Sequence, residues 1–218
     1  RRTERRIIIR ILMLNYEYPP VGGGAGPITE ALSEHFVGAG HCVDVVTMGF
    51  HGLPSRHDAG RLQVYRVPAW RRWAVRGVTM EMLTYLPAAL LWSLLLAQRG
   101  RYDLIHAHFV IPTSVAAAVV QHLCRVPLVL TLHGSNVPGY NPDRWKRGHV
   151  VLAPLWHTLV HSADAIISPS TYLRDLVLSQ CPVPIDIIPH GFTPPPLPAA
   201  PRRKYMLFVS RLFRRKRS

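Results

Sequence analysis

A chain of 218 residues with 48 % apolar and 17 % charged residues holds enough apolar material for a sizeable core. Its three cysteines, Cys42, Cys124 and Cys181, form no CxxC pair and no zinc spacing despite twelve histidines. The net charge of +14 points at first to nucleic acid, but residues 1–10 carry +4 and residues 201–218 carry +8, leaving +2 for residues 11–200 and no basic face for a nucleic acid.

The first element is a continuous apolar strand over residues 7–15, broken only by Arg10. A Pro/Gly-rich loop follows over residues 16–26, and Pro27 then occupies a first-turn position for a helix over residues 28–37, ended by Gly38 and Gly40. Residues 42–48 and 62–67 read as strands, and residues 79–98 as a long, very apolar helix. Further strands are expected at residues 103–107, 127–132, 165–168 and 185–188, and helices at 112–123, 150–161 and 171–179. Apolar strands separated by helices predict an α/β, doubly wound parallel sheet of six or seven strands, Rossmann-like, with helices on both faces and ligands beyond the carboxyl ends of the strands. Residues 193–201, TPPPLPAAP, read as a stiff linker, and residues 205–210 as the first strand of something else. The expected domains are therefore residues 1–192, a linker over 193–204, and a truncated second domain beginning at 205–218.

Several loops carry chemistry. Gly22, Gly23 and Gly24 stand between the first strand and the first helix, where backbone amides and a helix N-terminus can approach an anion or a sugar hydroxyl. They make neither a dinucleotide fingerprint nor a phosphate loop, because Pro27 takes the position of the last glycine and no GK[ST] follows. His133, Gly134, Ser135 and Asn136 follow a central strand and face the ligand crevice. His106 and His108 flank Ala107; one is read as pointing inward and the other outward, as a crevice wall, without the carboxylate that a metal site would need. The turn Ile188-Pro189-His190-Gly191-Phe192 reads as the structural exit from the domain. Arg211 and Lys216, five residues apart after a strand, have the spacing to clamp a diphosphate.

Taken in order, PPVGGGAG (residues 19–26), DLIHAH (103–108), TLHGS (131–135), ADAIISPS (163–170), IPHG (188–191) and SRLFRRK (210–216) resemble the family 4 glycosyltransferases over nearly the whole chain. The resemblance implies the N-terminal half of a GT-B fold, with an acceptor-side domain facing a nucleotide-sugar-binding domain. It implies retaining transfer of a sugar from a nucleotide-diphosphate sugar to a glycan or lipid-linked acceptor, with no bound metal and no other cofactor. In that family His133 would be the catalytic residue at the donor sugar. Gly22, Gly23, Gly24, His108, Gly134 and Ser135 would lie around donor and acceptor, and Arg211 and Lys216 would neutralise the leaving diphosphate.

The sequence departs from the family where His190-Gly191-Phe192-Thr193 stands for the common Asn-Gly-Val-Asp. The acidic E-x7-E element of the second domain is not in the sequence, so this piece alone is expected to be inactive. A sugar-nucleotide epimerase on the same scaffold is the alternative. No signal peptide is expected, which implies a cytoplasmic enzyme of cell-envelope polysaccharide synthesis. Residues 70–76, WRRWAVR, precede the apolar helix and interleave Trp with Arg. They suggest peripheral docking on the anionic inner face of the plasma membrane.

Overall fold

The computed structural model describes residues 7–75, 79–140 and 146–191. The expected linker, the strand after it, Arg211 and Lys216 lie outside the described residues. The elements are β1 (Arg10–Leu14), α1 (Ala25–Gly38), β2 (Cys42–Met48), β3 (Arg56–Ala59), β4 (Leu62–Val67), α2 (Thr79–Arg99) and β5 (Leu104–His108). They continue with α3 (Thr113–Cys124), β6 (Leu128–Thr131), a 3-10 turn at Gly134–Asn136, α4 (Lys146–Ser162), β7 (Ala165–Ser168), α5 (Thr171–Leu178) and β8 (Asp186–Ile187).

Among the described residues, eight strands form one sheet in the order β3-β4-β2-β1-β5-β6-β7-β8. Seven run parallel, and β3 pairs antiparallel with β4. The additional strand relative to the sequence reading is β3. Its residues Arg56, His57, Asp58 and Ala59 are all exposed, so it carries no apolar alternation to read.

The strands hold together because their side chains are buried on both faces. In β1, Ile11 and Met13 point to one side and Leu12 and Leu14 to the other, all fully buried. Leu12 and Leu14 join Val46, Ile105, Ala107, Leu128 and Leu130 in a core shared with Tyr85 and Ala89 of α2, Ala116 and Val120 of α3, Trp156 and Val160 of α4 and Val177 of α5. Ile11 and Met13 join Val43, Val45, Leu62 and Val64 in a second core, packed by Leu32, Phe36 and Val37 of α1.

This division follows from crossover handedness. From β1 the chain steps to β2 on one side; from β5 it steps through β6, β7 and β8 the other way. Right-handed crossovers in opposite directions put their helices on opposite faces. The strand order therefore reverses between β1 and β5, and an open parallel sheet parts its loops at such a point, leaving a crevice above the carboxyl ends.

The helix α2, by length and composition alone, could cross a bilayer: Met80–Arg99 has a mean hydropathy of 1.5. Here it packs on the sheet through Tyr85, Ala89, Ser93 and Leu96, while Met80, Leu83 and Leu91 remain exposed. The Tyr85 hydroxyl donates to the Val46 carbonyl at 2.9 Å, which ties the helix to β2.

Candidate active site

The loop after β1 and the strand end of β5 flank the reversal point, and the loop after β6 stands next to them. The glycine loop is held by its own chain. The Gly22 amide donates to the Ala74 carbonyl at 2.8 Å. The Gly23 amide donates to the Glu17 carboxylate at 2.9 Å. Two amides expected to approach an anion are therefore already engaged by protein groups. Gly22 has φ +118°, and a Cβ there would lie 2.5 Å from Glu17 Cβ, so no other residue fits without moving the loop. Gly24 differs: a Cβ there would meet nothing within 4 Å. It stands one residue before α1 starts.

Next to this loop the strand ends stack four histidines. His106 and His108 are both buried, with ring centroids 4.5 Å apart. The reading of one ring inward and one outward is corrected here, because residues two apart in a strand share a face. His106 Nε2 lies 2.7 Å from Thr131 Oγ1. His108 Nδ1 lies 3.1 Å from His133 Nε2. His133 stacks in turn on His190 at 5.4 Å. The turn read as a structural exit thus adjoins the site.

Burial sets the charge of this ladder. Loss of water pushes His106 down to about 4 and His133 down to about 3, against an ordinary histidine value of 6.5. His108 is driven well below that value, first by burial and then by the neighbouring rings, and burial lowers His190 as well. At neutral pH all four are uncharged hydrogen-bonding rings. His108 has no exposed surface; its Nε2 is buried and lacks a hydrogen-bond partner among the described residues.

Two aromatic residues to which the sequence reading gave no role, Phe109 at the end of the His106–Phe109 motif and Tyr16, complete the wall. Phe109 lies 4.5 Å from the His133 ring and 4.7 Å from the Tyr16 ring, which joins the loop after β1 to the loop after β6. Phe109 has φ +74°, an unfavourable conformation for a bulky side chain. It is held there by Ser114, whose hydroxyl donates to the Phe109 carbonyl at 2.9 Å, and by its own amide bond to the Thr131 carbonyl at 3.1 Å. Strained residues of this kind concentrate at functional sites. The signal in the sequence was its place directly after His108. Of the remaining expected residues, Gly134 opens the 3-10 turn against the Tyr140 ring, where a Cβ would lie 2.4 Å from a ring carbon. Ser135 is exposed in the same turn.

The Trp/Arg segment is only partly available to a partner. Trp70 and Trp73 are exposed, and Arg72 lies over the Trp73 ring at 5.5 Å. Arg71 is buried, donating to the Trp73 carbonyl at 3.0 Å and the Ala74 carbonyl at 3.0 Å.

A family model for glycosyltransferase family 4 matches residues 22–194, well over half of the chain. The chain belongs to that family. An uncharacterized glycosyltransferase of Methanocaldococcus jannaschii is 28 % identical over 203 residues, covering 85 % of this chain and 47 % of that one. A Bacillus subtilis glycosyltransferase assigned to teichuronic acid biosynthesis is 56 % identical over 82 residues, covering 36 % of this chain and 19 % of that one. The chain spans less than half the length of these curated relatives. Among solved structures, a sucrose-phosphate synthase from Thermosynechococcus elongatus superposes with a TM-score of 0.65 at 17 % identity. That match covers 83 % of this chain and 48 % of that one, and shows the fold: this family 4 chain has the Rossmann-like architecture of one half of a GT-B protein.

Proposed function

We propose that this chain is the acceptor-side half of a retaining glycosyltransferase, which moves a sugar from a nucleotide-diphosphate sugar to a glycan or lipid-linked acceptor. The observation that carries the reading is the contact of Phe109 with His133 on one side and with Tyr16, in the loop after β1, on the other, at the strand-order reversal of a chain of glycosyltransferase family 4. His133 is the residue at the transferred sugar. Gly24 gives an open approach at the start of α1, and Gly134 and Ser135 shape the loop after His133. Arg211 and Lys216 neutralise the departing diphosphate, so that no bound metal or cofactor is required. The residues at 193–204 join this half to a donor-binding half that begins at 205, and this half alone does not turn over. The family favours transfer over the epimerase alternative, which shares the scaffold but not the family.

The Bacillus subtilis relative, named for teichuronic acid biosynthesis, supports a role in cell-envelope polysaccharide synthesis, and the proposal adds peripheral docking at the inner face of the plasma membrane. Docking there uses Trp70, Trp73 and Arg72 together with the exposed Met80 and Leu83, and not the buried Arg71. Vesicle co-sedimentation tests it. Binding should need anionic lipid, fall with salt and weaken in a W70A/R72A/W73A protein; equal binding to neutral vesicles would end this part of the proposal.

The transfer reading is tested in the full-length enzyme with a panel of nucleotide sugars. His133→Ala should lower kcat/KM about a hundredfold or more while the unfolding midpoint stays near that of the parent. The anomeric configuration of the product, read by NMR, should match that of the donor. Unchanged turnover in a folded variant would show His133 to be structural.

A further inference from the structure

The histidine ladder contains more information than the burial of its members. His108 Nδ1 and His133 Nε2 are 3.1 Å apart, and both rings are neutral, so one proton lies between them: one ring donates and the other accepts. The far nitrogen of His108 decides which. If His133 donated, His108 would carry its own proton on Nε2, and that N–H would be buried without an acceptor among the described residues. If His108 donates from Nδ1, only a lone pair is left at Nε2. Buried N–H groups without a partner are rarer than acceptors left unused. The contact therefore runs from His108 Nδ1–H to His133 Nε2.

The consequence passes to the other side of the His133 ring. With Nε2 accepting, a neutral His133 carries its proton on Nδ1. We infer that His108 is a positioning residue that holds His133 as the Nδ1–H tautomer, so that His133 offers a ligand a hydrogen-bond donor and not a base. The class of ligand group this suits is an oxygen acceptor, such as a sugar hydroxyl or an oxygen gaining negative charge as a bond breaks. His106 supports the arrangement from behind. Its Nε2 is engaged with Thr131 Oγ1 at 2.7 Å, and its ring stacks at 4.5 Å on His108. Phe109 at 4.5 Å and His190 at 5.4 Å limit the tilt of the His133 ring.

The step from tautomer to role rests on the reading of His133 as the residue at the transferred sugar; the tautomer itself does not. The experiment is nitrogen-15 NMR of the histidine side chains in the full-length protein. The His133 signals are assigned by their loss in His133→Asn. The wild-type protein should show a protonated, pyrrole-type Nδ1 and an unprotonated, pyridine-type Nε2 at His133. In His108→Leu the fixed pattern should be lost, whereas in His108→Asn the amide N–H replaces the donor and restores it. In transfer assays His108→Leu should lower kcat about tenfold with little change in KM, and His108→Asn should recover most of it. A proton on Nε2 of His133 in the wild-type protein overturns the inference, even where the leucine variant fails to fold. A His133 pattern unchanged in a folded His108→Leu protein also overturns it. An unchanged rate in His133→Ala would sink the transfer reading while leaving the tautomer result intact.

Discussion

The two ends of the central strands bury polar groups in opposite ways. At the amino end Asp44 of β2 accepts from Arg10 Nε at 3.0 Å, Arg10 Nη2 at 2.7 Å and the Tyr102 hydroxyl at 2.6 Å. The Arg10 amide donates in addition to Asp103 at 2.7 Å. At the carboxyl end of β5 the buried groups are histidines, kept neutral, with one ring nitrogen unpaired and a strained phenylalanine beside them. A charge taken out of water is stable only when its bonds are satisfied, which is the case for Asp44. The histidine end keeps its rings uncharged instead, with one ring nitrogen left unpaired inside the fold, among the described residues. The same strands are thus fastened by a satisfied charge at one end and carry neutral, strained groups at the other.

Three changes would break or sharpen this contrast. The largest effect is expected at the fastened end. Asp44→Ala removes one side of a hydrogen-bonded charge pair whose other member is part-exposed, and should cost about 3 kcal/mol of stability. Urea unfolding of the full-length protein reads it, and kcat should stay within about twofold. A collapse of turnover in the folded variant would show that the amino end is not merely structural.

Acid acts on the other end. A histidine held neutral by burial binds fewer protons folded than unfolded, so its contribution is complete above pH 6.5 and is lost as the pH falls toward its folded value. For His106, between 6.5 and about 4, the loss at pH 5 is about 2 kcal/mol. Thermal unfolding between pH 7 and pH 5 should therefore show a falling midpoint, with a shallower slope in His106→Asn. Parallel slopes would mean that His106 titrates alike in the folded and unfolded chain.

The smallest effect separates two neighbouring glycines. Gly22→Ala forces a side chain into positive φ against Glu17 and should cost about 1–2 kcal/mol. Gly24→Ala meets nothing in the folded protein and should stay within about 0.5 kcal/mol of the parent. If Gly24 borders the bound substrate, the same alanine should nevertheless raise KM. An unchanged KM would remove Gly24 from the site.

Much of this was legible in the residues. The expected strands at 42–48, 62–67 and 165–168 agree with β2, β4 and β7 to the residue, because each is short, rich in β-branched, aliphatic or aromatic residues and set off by turn residues. The order of strands and helices carried the doubly wound sheet, and with it the crevice above the carboxyl ends of the strands. Other features depend on distances that spacing does not encode. The ladder needs β5 and β6 side by side in a register that pairs His108 with Thr131, two residues before His133. The His190 contact depends on a turn far along the chain, so its sequence context suggested only an exit. Arg71 looked like a lipid-facing cation, because a pattern of Trp and Arg cannot reveal that a guanidinium folds back onto its own loop carbonyls.

The missed strand β3 matters for a reason unrelated to ligands. The outermost strand of any sheet offers unpaired backbone groups on which another chain can add a strand. Here that position is filled by Arg56, His57 and Asp58, with Arg56 bonded to Gln63 at 2.9 Å and to Asp58 at 3.2 Å. On the opposite side β8 pairs over only two residues, Asp186 and Ile187, too short a template to extend. Among the described residues, neither border of the sheet is both long and apolar. A large, densely apolar sheet is thereby guarded against polymerising through its edges, and the charged strand least visible in the sequence guards one of them.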